Sequence, residues 1–528
     1  MILWTLTTIF IFVMLSVGFW GMRKTRTLGD FFIGGRSIGP WVSAFAYGTS
    51  YYSAVMFIGF AGKLGWGFGL NVLWTSLGNT LLGCLLAWFV LGYRTRRMTQ
   101  NLGVMTMPEF FDRRFDAPNL KIFCAIIIFL FLLPYSASVF QGLGYLFQIT
   151  MGLDYTTALI FMSIITAIYL IMGGYFAVTL NDFLQGIIML IGSVVMFFIL
   201  TNKSGGLMAT IQTIQTNYPQ NVKPLPPWYM VASVAFMTSF GVWGLPQMIQ
   251  KFYSIKDEKQ ILRAAIVTTG FSFVVVFAAY FMGSMTHVFY VSPETAVVSS
   301  VAAGPTIVGE TDATGRVQAV PAPTIEKNGK QVIDFDRLIP DLLKHQLPEA
   351  LMAVIVLLVL SASMSTLSSL ILVASSAIAI DLYKDRAKLD DSSDKPLVLI
   401  RFLSGLFILI SFLIAMSKFD VIVTLMSVSW GAVAGAFMAP YLYALYWRRL
   451  TKWGALSGMI TGLAVSIGLL IAWGPDYSPL SASLAMLIPF VVIPPVSLLT
   501  QPPRKELVDL AFAKKADFDA LSDSTLSD

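Results

Sequence analysis

Tyr47-Gly48-Thr49-Ser50-Tyr51-Tyr52-Ser53 interrupts an apolar segment of about residues 40–62 with small and polar residues. Five apolar segments further along the chain, Gly241-Val242-Trp243-Gly244-Leu245-Pro246 interrupts another in the same way. A helix broken inside a bilayer exposes backbone carbonyls near the membrane midplane. Two broken helices five spans apart are the pattern expected of two inverted repeats of five helices each. Close helix packing around glycine is the alternative explanation of either break alone.

The composition predicts a chain that needs lipid as its solvent. Hydrophobic residues make up 56% of the 528 residues, charged residues 12%, and the mean hydropathy is +0.75. Many of the apolar segments reach the roughly 20 residues that cross ~30 Å of hydrocarbon as a helix. The sequence therefore predicts an all-α polytopic membrane protein with about 13 transmembrane helices. The predicted spans are about 2–20, 40–62, 68–93, 120–148, 156–173, 180–201, 227–249, 262–288, 347–380, 397–416, 420–447, 453–473 and 481–499.

The basic residues predict the orientation of these spans. Most of the 35 lysines and arginines, Lys251 among them, fall in alternate loops, and basic loops stay on the cytoplasmic side. This places the N-terminus outside and the C-terminus in the cytoplasm, in a plasma membrane that we expect to be a bacterial inner membrane. The first span is followed rather than preceded by basic residues, which indicates a retained anchor. The net charge of +6 arises from the inner loops and does not indicate nucleic acid as a partner.

The same pattern predicts how the chain is divided. The long outer loop contains a hairpin signal at Asn328-Gly329 and a helix-like spacing from Phe335 to Leu343. Cys84 and Cys124 fall in or beside apolar spans, so no disulfide framework is expected. The predicted units are 1–39, an extra N-terminal helix and inner loop; 40–416, a transport core with the outer loop 289–346; 417–499, extra C-terminal helices; and 500–528, a cytoplasmic tail.

A run of hydroxyl residues in the ninth span points to a cation site. Ser361–Ser369 contains six serines and threonines within nine positions of an apolar helix. Ala362, Ser365, Thr366 and Ser369 share one helix face, since they stand at i, i+3, i+4 and i+7. Hydroxyls on that face, with carbonyls freed in the second span, would give a hard cation such as Na⁺ the oxygen ligands it prefers. Hydroxyls that bond back to their own or neighbouring helices are the alternative.

Asp182, at the predicted inner start of the sixth span, is the one carboxylate that the sequence places deep in the membrane region. Because buried charge is costly in a membrane, such a residue marks a functional site by default. It guides a cation towards the cytoplasm, or it caps the helix N-terminus. The sequence has no HExxH, GxSxG, Walker or CxxC motif, and His287 and His345 lie near the predicted outer surface. The sequence therefore predicts a transporter rather than an enzyme.

Several longer motifs are similar to those of the sodium:solute symporter family, which includes proline, pantothenate, monocarboxylate, sialic acid and sugar carriers. Each motif alone would be weak evidence, and together they are highly specific. The motifs are Asp30–Pro40, Thr106–Phe111, Met172–Phe176, Asn181–Gly186, Gly244–Pro246, Met364–Leu367 and Asp381–Tyr383.

This resemblance implies a LeuT-like fold of two inverted five-helix repeats, thirteen helices with an outer N-terminus, and coupling to Na⁺. It also implies that the sodium ligands are the backbone carbonyls of Thr49, Tyr52 and Ala362 and the hydroxyls of Ser365 and Thr366. Asp182 would then lie on the sodium exit path.

The resemblance is less complete for the solute site. Proline carriers of the family have an aspartate where this chain has Tyr51, and a tryptophan and a tyrosine where it has Thr238 and Val242. The segment Phe240–Pro246 looks most like that of pantothenate-type carriers, which transport a carboxylate. The candidate solute-binding residues are Ser50, Tyr51, Ser53, Tyr135, Gln141, Trp243 and Gln247.

The sequence thus predicts a sodium-coupled symporter that imports a small organic solute by alternating access, with a pantothenate-like or monocarboxylate substrate preferred. A proline-like amino acid and a sugar or sialic acid are the alternatives within sodium symport. Coupling to protons is a further alternative, which the lack of a buried histidine or carboxylate pair disfavours. A substrate-gated channel or a membrane sensor is the alternative from a different class.

Overall fold

The computed structural model describes residues 2–24, 28–292, 319–327, 329–384, 395–418 and 420–514. In these ranges, eleven helical segments are long and apolar enough to cross a membrane, and Tyr155–Ile168 is a shorter apolar helix. Together they cover all thirteen predicted spans, because the third predicted span and the second half of the second form the single stretch Val55–Asn101. Residues 515–528 of the predicted tail and Asn328 lie outside the described residues.

The bounds of the described elements follow the hydropathy pattern closely. The α-helices are Ile2–Lys24, Leu28–Ile33, Pro40–Tyr51, Ala61–Phe68, Leu73–Gly78, Tyr93–Asn101, Met107–Phe115, Pro118–Met151, Tyr155–Lys203, Leu207–Asn221, Trp228–Gly241, Pro246–Ser254, Ile261–Ser284, Thr286–Phe289, Phe335–Gln346, Glu349–Ile378, Lys395–Ser417, Ile422–Tyr446, Lys452–Trp473, Ser478–Leu499 and Lys505–Phe512. The 3₁₀ segments are Gly34–Arg36, Gly69–Val72, Glu258–Gln260 and Pro475–Tyr477. The π-helical segments are Val55–Phe60, Asn79–Leu86, Trp88–Gly92 and Ala379–Lys384.

Between the helices Thr286–Phe289 and Phe335–Gln346, the described residues form four short strands. Tyr290–Val291 pairs in parallel with Val320–Pro321. Thr324–Lys327 pairs antiparallel with Lys330–Ile333, which is the hairpin that the sequence predicted. Gly329 has a φ of +72°, the left-handed conformation that a tight hairpin turn requires.

Gly174 separates two membrane segments that hydropathy predicted as distinct spans. The helix Tyr155–Lys203 contains one residue with non-helical torsion angles, Gly174, at φ 59° and ψ −177°. Only glycine adopts this region of φ and ψ readily, since a Cβ would clash with the backbone. The helix therefore changes direction within the Met172–Phe176 motif.

Two helices form the centre of the bundle. The apolar window of Ile422–Tyr446 is 94% buried and that of Glu349–Tyr383 is 78% buried, whereas those of Ile2–Gly21 and Lys452–Trp473 are each 28% buried. The apolar residues that face outwards from Ile2–Gly21 and Lys452–Trp473 have lipid as their natural neighbour. Glu349–Ile378, hereafter the serine-rich helix, carries the predicted hydroxyl face and lies in the interior.

Phe335–Gln346, hereafter the capping helix, closes the bundle at the predicted outer face. It is the amphipathic helix that the spacing from Phe335 to Leu343 predicted. Its Asp336 carboxylate is buried and accepts hydrogen bonds from the Gln141 side chain (Nε2 to Oδ2, 3.1 Å) and the Ile422 backbone (N to Oδ2, 3.2 Å). This one carboxylate thus fastens the capping helix to two membrane helices.

We expect docking of the capping helix to strengthen as the pH falls from 8 to 6. Burial, helped by the neighbouring Asp334 carboxylate, raises the pKa of Asp336 to about 7, against the opposing effects of the Ile422 amide, Lys63 and Gln141. The docked state therefore binds the proton more tightly than the undocked state, and acid favours docking. Exchange of the backbone amides of the capping helix, corrected for the intrinsic effect of pH, should slow by about tenfold over this interval.

The matched variant for this prediction is Asp336→Asn, which retains the side-chain shape and cannot titrate. Its corrected exchange rate should not vary between pH 6 and pH 8. Equal pH dependence in the variant and the native chain would show that another group controls the docking.

Candidate functional site

The first break lies between Pro40–Tyr51 and Val55–Phe60, which continues as Ala61–Phe68; these segments are hereafter the first broken helix. Tyr52 has extended torsion angles, and the amides after it bond elsewhere than to the preceding turn. The Ala54 N–H donates to Ser363 Oγ at 3.1 Å, and the Val55 N–H donates to Ser53 Oγ at 3.2 Å. Backbone carbonyls of residues 50–52 are thereby released from the helical ladder and become available as ligands.

The second break lies between Trp228–Gly241 and Pro246–Ser254, hereafter the second broken helix. Leu245 is extended and Pro246 begins the second half, where its missing N–H costs no helical bond. A Cβ added at Gly244 would lie 2.8 Å from both the Ala434 Cα and the Met438 backbone nitrogen. The absence of a side chain is therefore what lets this break pack directly against the helix Ile422–Tyr446.

The predicted sodium ligands lie together where the first broken helix meets the serine-rich helix. The Ser365 hydroxyl donates to Thr49 Oγ1 at 2.8 Å. The Thr366 hydroxyl lies 3.0 Å from the Ala362 carbonyl, 3.3 Å from that of Thr49 and 3.4 Å from that of Ser50. Thr49, Ala362, Ser365 and Thr366 are all fully buried, and Tyr52 is 1% exposed at the helix end beside them.

This cluster fits the requirements of Na⁺. Its donors are neutral hydroxyl and carbonyl oxygens from two different helices, which suit a hard monovalent cation. The Thr366 hydroxyl lies among three carbonyl oxygens, two of which, those of Thr49 and Ser50, come from the end of the helix at the break. An ion there would replace the long contacts of the Thr366 hydroxyl to these two carbonyls.

Asp182 is fully buried beside this cluster and is paired with a residue that the sequence analysis missed. Lys251 Nζ lies 3.3 Å from Asp182 Oδ2, and both side chains are almost completely shielded from solvent. The topology argument had placed Lys251 in an inner loop, which is wrong: it lies in the second half of the second broken helix, 1% exposed. The available sequence signal was its position one helical turn after Gln247.

An aromatic cluster surrounds the first break. The Tyr51 ring lies 6.3 Å from that of Trp430, and the Tyr135 ring meets Trp430 edge to face at 5.9 Å. The Tyr51 hydroxyl donates to the Thr238 carbonyl. Trp430 Nε1 is buried without a hydrogen-bond partner among the described residues. Sequence reasoning missed Trp430, which belongs to a span without any break.

Three of the other candidate residues lie near the two breaks. Ser50 Oγ is 2.9 Å from Ser369 Oγ, and Ser53 Oγ accepts the Val55 amide as described above. Gln247 is fully buried, and neither its amide oxygen nor its amide nitrogen has a hydrogen-bond partner among the described residues. An unpartnered buried amide is costly, so among the candidate solute-binding residues Gln247 is the one whose polar atoms most need a ligand.

The remaining two candidates are engaged by the protein itself. Gln141 Nε2 bonds to Asp336 of the capping helix and to the Asp420 carbonyl, each at 3.1 Å. Trp243 Nε1 donates to the Leu82 carbonyl at 3.1 Å. Their polar atoms thus hold helices together.

A narrow pocket lies on the side of the site that is predicted to face the cytoplasm. Its walls come from the second half of the second broken helix, the end of the serine-rich helix and the segment that precedes the helix Met107–Phe115. The polar residues that line it include Thr106, Gln250, Tyr253, Ser376 and Asp381.

Comparison with known proteins shows which family this chain resembles. The family model of the sodium:solute symporter family matches residues 31–462. The Sodium/proline symporter of Staphylococcus aureus (strain bovine RF122 / ET3-1) is 31% identical over 476 residues, which cover 88% of this chain and 85% of that protein. The Sodium/proline symporter of S. aureus strain NCTC 8325 / PS 47 matches with the same identity and coverage.

Two solved structures share the fold. A substrate-bound, outward-open Na⁺-coupled sialic acid symporter superposes with a TM-score of 0.73 at 17% identity, covering 96% of this chain and 98% of its own. Mhp1, a nucleobase-cation-symport-1 family transporter in a closed conformation, superposes with a TM-score of 0.50 at 13% identity, covering 92% and 98%. At these identities the likeness shows the fold alone, and it confirms the predicted LeuT-like fold.

Proposed function

Because this chain belongs to the sodium:solute symporter family, we propose that it couples the import of a small carboxylate to inward sodium flow. Family membership itself establishes the coarser statement. The protein is a multi-pass membrane carrier of the Na⁺-coupled secondary type, and it is not an enzyme. These predictions from the sequence are confirmed, and Na⁺ is the coupling ion.

The observation that carries the solute proposal is that the Gln247 amide has no hydrogen-bond partner in the described part of the chain. Gln247 follows Pro246 at the start of a half-helix, where backbone N–H groups and the helix dipole favour an anion. Its Nε2 can donate to a carboxylate, while its Oε1 can accept from a hydroxyl or amine of the same solute. The helix Pro246–Ser254 also packs against Pro40–Tyr51 and the serine-rich helix, which puts the solute site next to the proposed sodium site.

The proposed sodium ligands are the carbonyls of Thr49, Tyr52 and Ala362 with the hydroxyls of Ser365 and Thr366. Na⁺ would draw the first broken helix and the serine-rich helix together, and the solute would fill the neighbouring space. Release would then follow past Asp182 towards the narrow pocket on the predicted cytoplasmic side. We further propose the orientation with the N-terminus outside, a bacterial inner membrane, and the division into 1–39, 40–416, 417–499 and 500–528. The basic loops and the hydropathy pattern support these assignments.

Uptake into proteoliposomes tests the proposed substrate class. The panel is labelled pantothenate, lactate, proline, glucose and sialic acid, each with and without an inward sodium gradient at matched ionic strength. We expect sodium-dependent uptake of pantothenate or lactate, and no sodium-dependent uptake of glucose. The proposal would be contradicted if the uptake of every solute were independent of the sodium gradient and depended on a proton gradient instead.

Proline is the second candidate, because the Staphylococcus aureus relatives at 31% identity are named Sodium/proline symporters. Tyr51 is the observation against it. Tyr51 has no carboxylate that could pair with the amino group of proline, and its hydroxyl already donates to the Thr238 carbonyl. Sodium-dependent uptake of proline alone would establish this candidate and reject the first.

We expect Gln247→Leu to raise the KM for the solute by about tenfold or more while the Na⁺ dependence stays unchanged. A hydrogen bond to a charged group contributes about 1.5–3 kcal/mol, which corresponds to this range. Initial rates of uptake over a range of solute concentrations measure the effect.

Gln250→Leu is the control for this variant. It places the same apolar side chain on the same helix, but the Gln250 amide already donates to the Phe32 carbonyl at 2.8 Å. Its solute KM should therefore remain close to that of the native chain. An equal rise in both variants would show that Gln247 acts through packing.

A further inference from the structure

Lys251 is a buried cation with a full set of partners inside the membrane region. Its ammonium bonds to Asp182 Oδ2 at 3.3 Å and to Ser369 Oγ at 3.1 Å, and it lies 5.3 Å from the centre of the Tyr175 ring. Ser369 Oγ in turn is 2.9 Å from Ser50 Oγ, and the Ser50 carbonyl lies 3.4 Å from the hydroxyl of Thr366, a proposed sodium ligand. Such a charge is costly in a membrane, so its position calls for a specific role.

The two carboxylate oxygens of Asp182 have different surroundings. One carboxylate oxygen is held by Lys251, while the other, Oδ1, is buried and has no hydrogen-bond partner in the described part of the chain. The Ser365 side chain is a close polar neighbour of the same carboxylate. Ser365 is a proposed sodium ligand, so the Asp182 carboxylate lies beside the proposed sodium site.

We propose that the Lys251 ammonium is a built-in counter-cation that competes with Na⁺ for Asp182 and thereby sets the affinity of the sodium site. This inference rests on the sodium site proposed above. With Na⁺ absent, Lys251 neutralises Asp182 and the hydroxyls of Ser50 and Ser369 are held with it. With Na⁺ bound, two cations share one carboxylate, and their repulsion keeps sodium binding weak enough for release.

The charges determine whether each substitution strengthens or weakens the binding of Na⁺. Lys251→Met leaves a buried carboxylate whose charge only a cation can balance, so Na⁺ binds more tightly. Asp182→Asn leaves an unpaired ammonium beside the site, so Na⁺ binds more weakly. The double variant restores a neutral pocket and should return towards native affinity. Asp182 and Lys251 lie beside the proposed sodium site in an interior of low dielectric constant, where charges interact strongly. We therefore expect each single substitution to change the Na⁺ affinity at least about tenfold.

Binding of radioactive ²²Na⁺ to the purified full-length protein tests this, without solute and with choline keeping the ionic strength constant. We expect the Na⁺ dissociation constant to fall at least about tenfold in Lys251→Met and to rise at least about tenfold in Asp182→Asn. Lys251→Arg, which keeps the charge, should stay close to the native value. Opposite shifts in Lys251→Met and Asp182→Asn are a result that simple loss of packing would not produce.

Ser365→Ala/Thr366→Ala in the same assay separates this proposal from the one on which it rests. If that double variant binds Na⁺ like the native chain, the sodium site is misplaced. If it loses binding while Lys251→Met and Lys251→Gln keep native or weaker affinity, only the counter-cation is overturned. Lys251→Gln retains a polar contact for Ser369, so it serves as the test should Lys251→Met fail to fold.

Discussion

Ser365→Ala/Thr366→Ala should abolish sodium-dependent uptake. The two hydroxyls are two of the five proposed sodium ligands, and the Thr366 hydroxyl lies within 3.4 Å of the carbonyls of Thr49, Ser50 and Ala362. With each ligand worth about 1.5–3 kcal/mol, the apparent affinity for Na⁺ should fall by about 100-fold or more. The measurement is the initial rate of solute uptake as a function of external Na⁺.

Ser368→Ala is the matched control for this variant. Ser368 is buried in the same helix, but its hydroxyl donates to the Ser365 carbonyl at 2.9 Å, which is a bond within its own helix. Its removal should leave the Na⁺ dependence near that of the native chain. Native Na⁺ dependence in the double variant would contradict the proposed site, provided that both proteins retain their thermal stability.

Gly244→Val should destabilise the fold by about 3 kcal/mol or more and eliminate transport. The new Cβ would stand 2.8 Å from the Ala434 Cα and the Met438 nitrogen, and backbone atoms cannot move aside as a side-chain tip can. Overpacking that forces two helices apart lies at the upper end of the usual cost. The melting temperature of the purified protein, followed by size-exclusion chromatography, measures the loss.

Gly270→Val is the appropriate comparison, since no atom lies within 4 Å of the position of its added Cβ. It lies within the helix Ile261–Ser284, where valine is no worse than glycine as a helix former. Its melting temperature and its uptake should be close to native. Similar behaviour of the two variants would show that the break tolerates a side chain and that the helix contact is not tight.

The positions of the proposed sodium ligands were predictable because each of the two helices that carry them shows a local sequence pattern. Ser365 and Thr366 share a helix face through the helical period, and glycine with polar residues marks the break at Tyr52 within one short segment. The family resemblance then related the two segments, and the structure brings them within hydrogen-bonding distance. Their assignment as sodium ligands remains a prediction.

Other parts of the site depend on partners that no local pattern identifies. Lys251 was assigned to a loop because a lysine just beyond an apolar run normally reaches the membrane surface. Its actual partner, Asp182, lies 69 residues away in the chain. Gln141, a candidate for the solute, instead meets Asp336 across 195 residues.

The sequence by itself determined that this chain is a helical membrane protein, where its helices begin and break, and which hydroxyls share a face. Those properties follow from hydropathy and helical periodicity, which act over one or two turns. Only the tertiary structure decided that Lys251 is buried against Asp182, that Trp430 joins the aromatic cluster, and that the Gln247 amide has no partner among the residues described. The physical reason is that buried polar groups are satisfied across helix interfaces, and those interfaces are set by packing of the whole bundle.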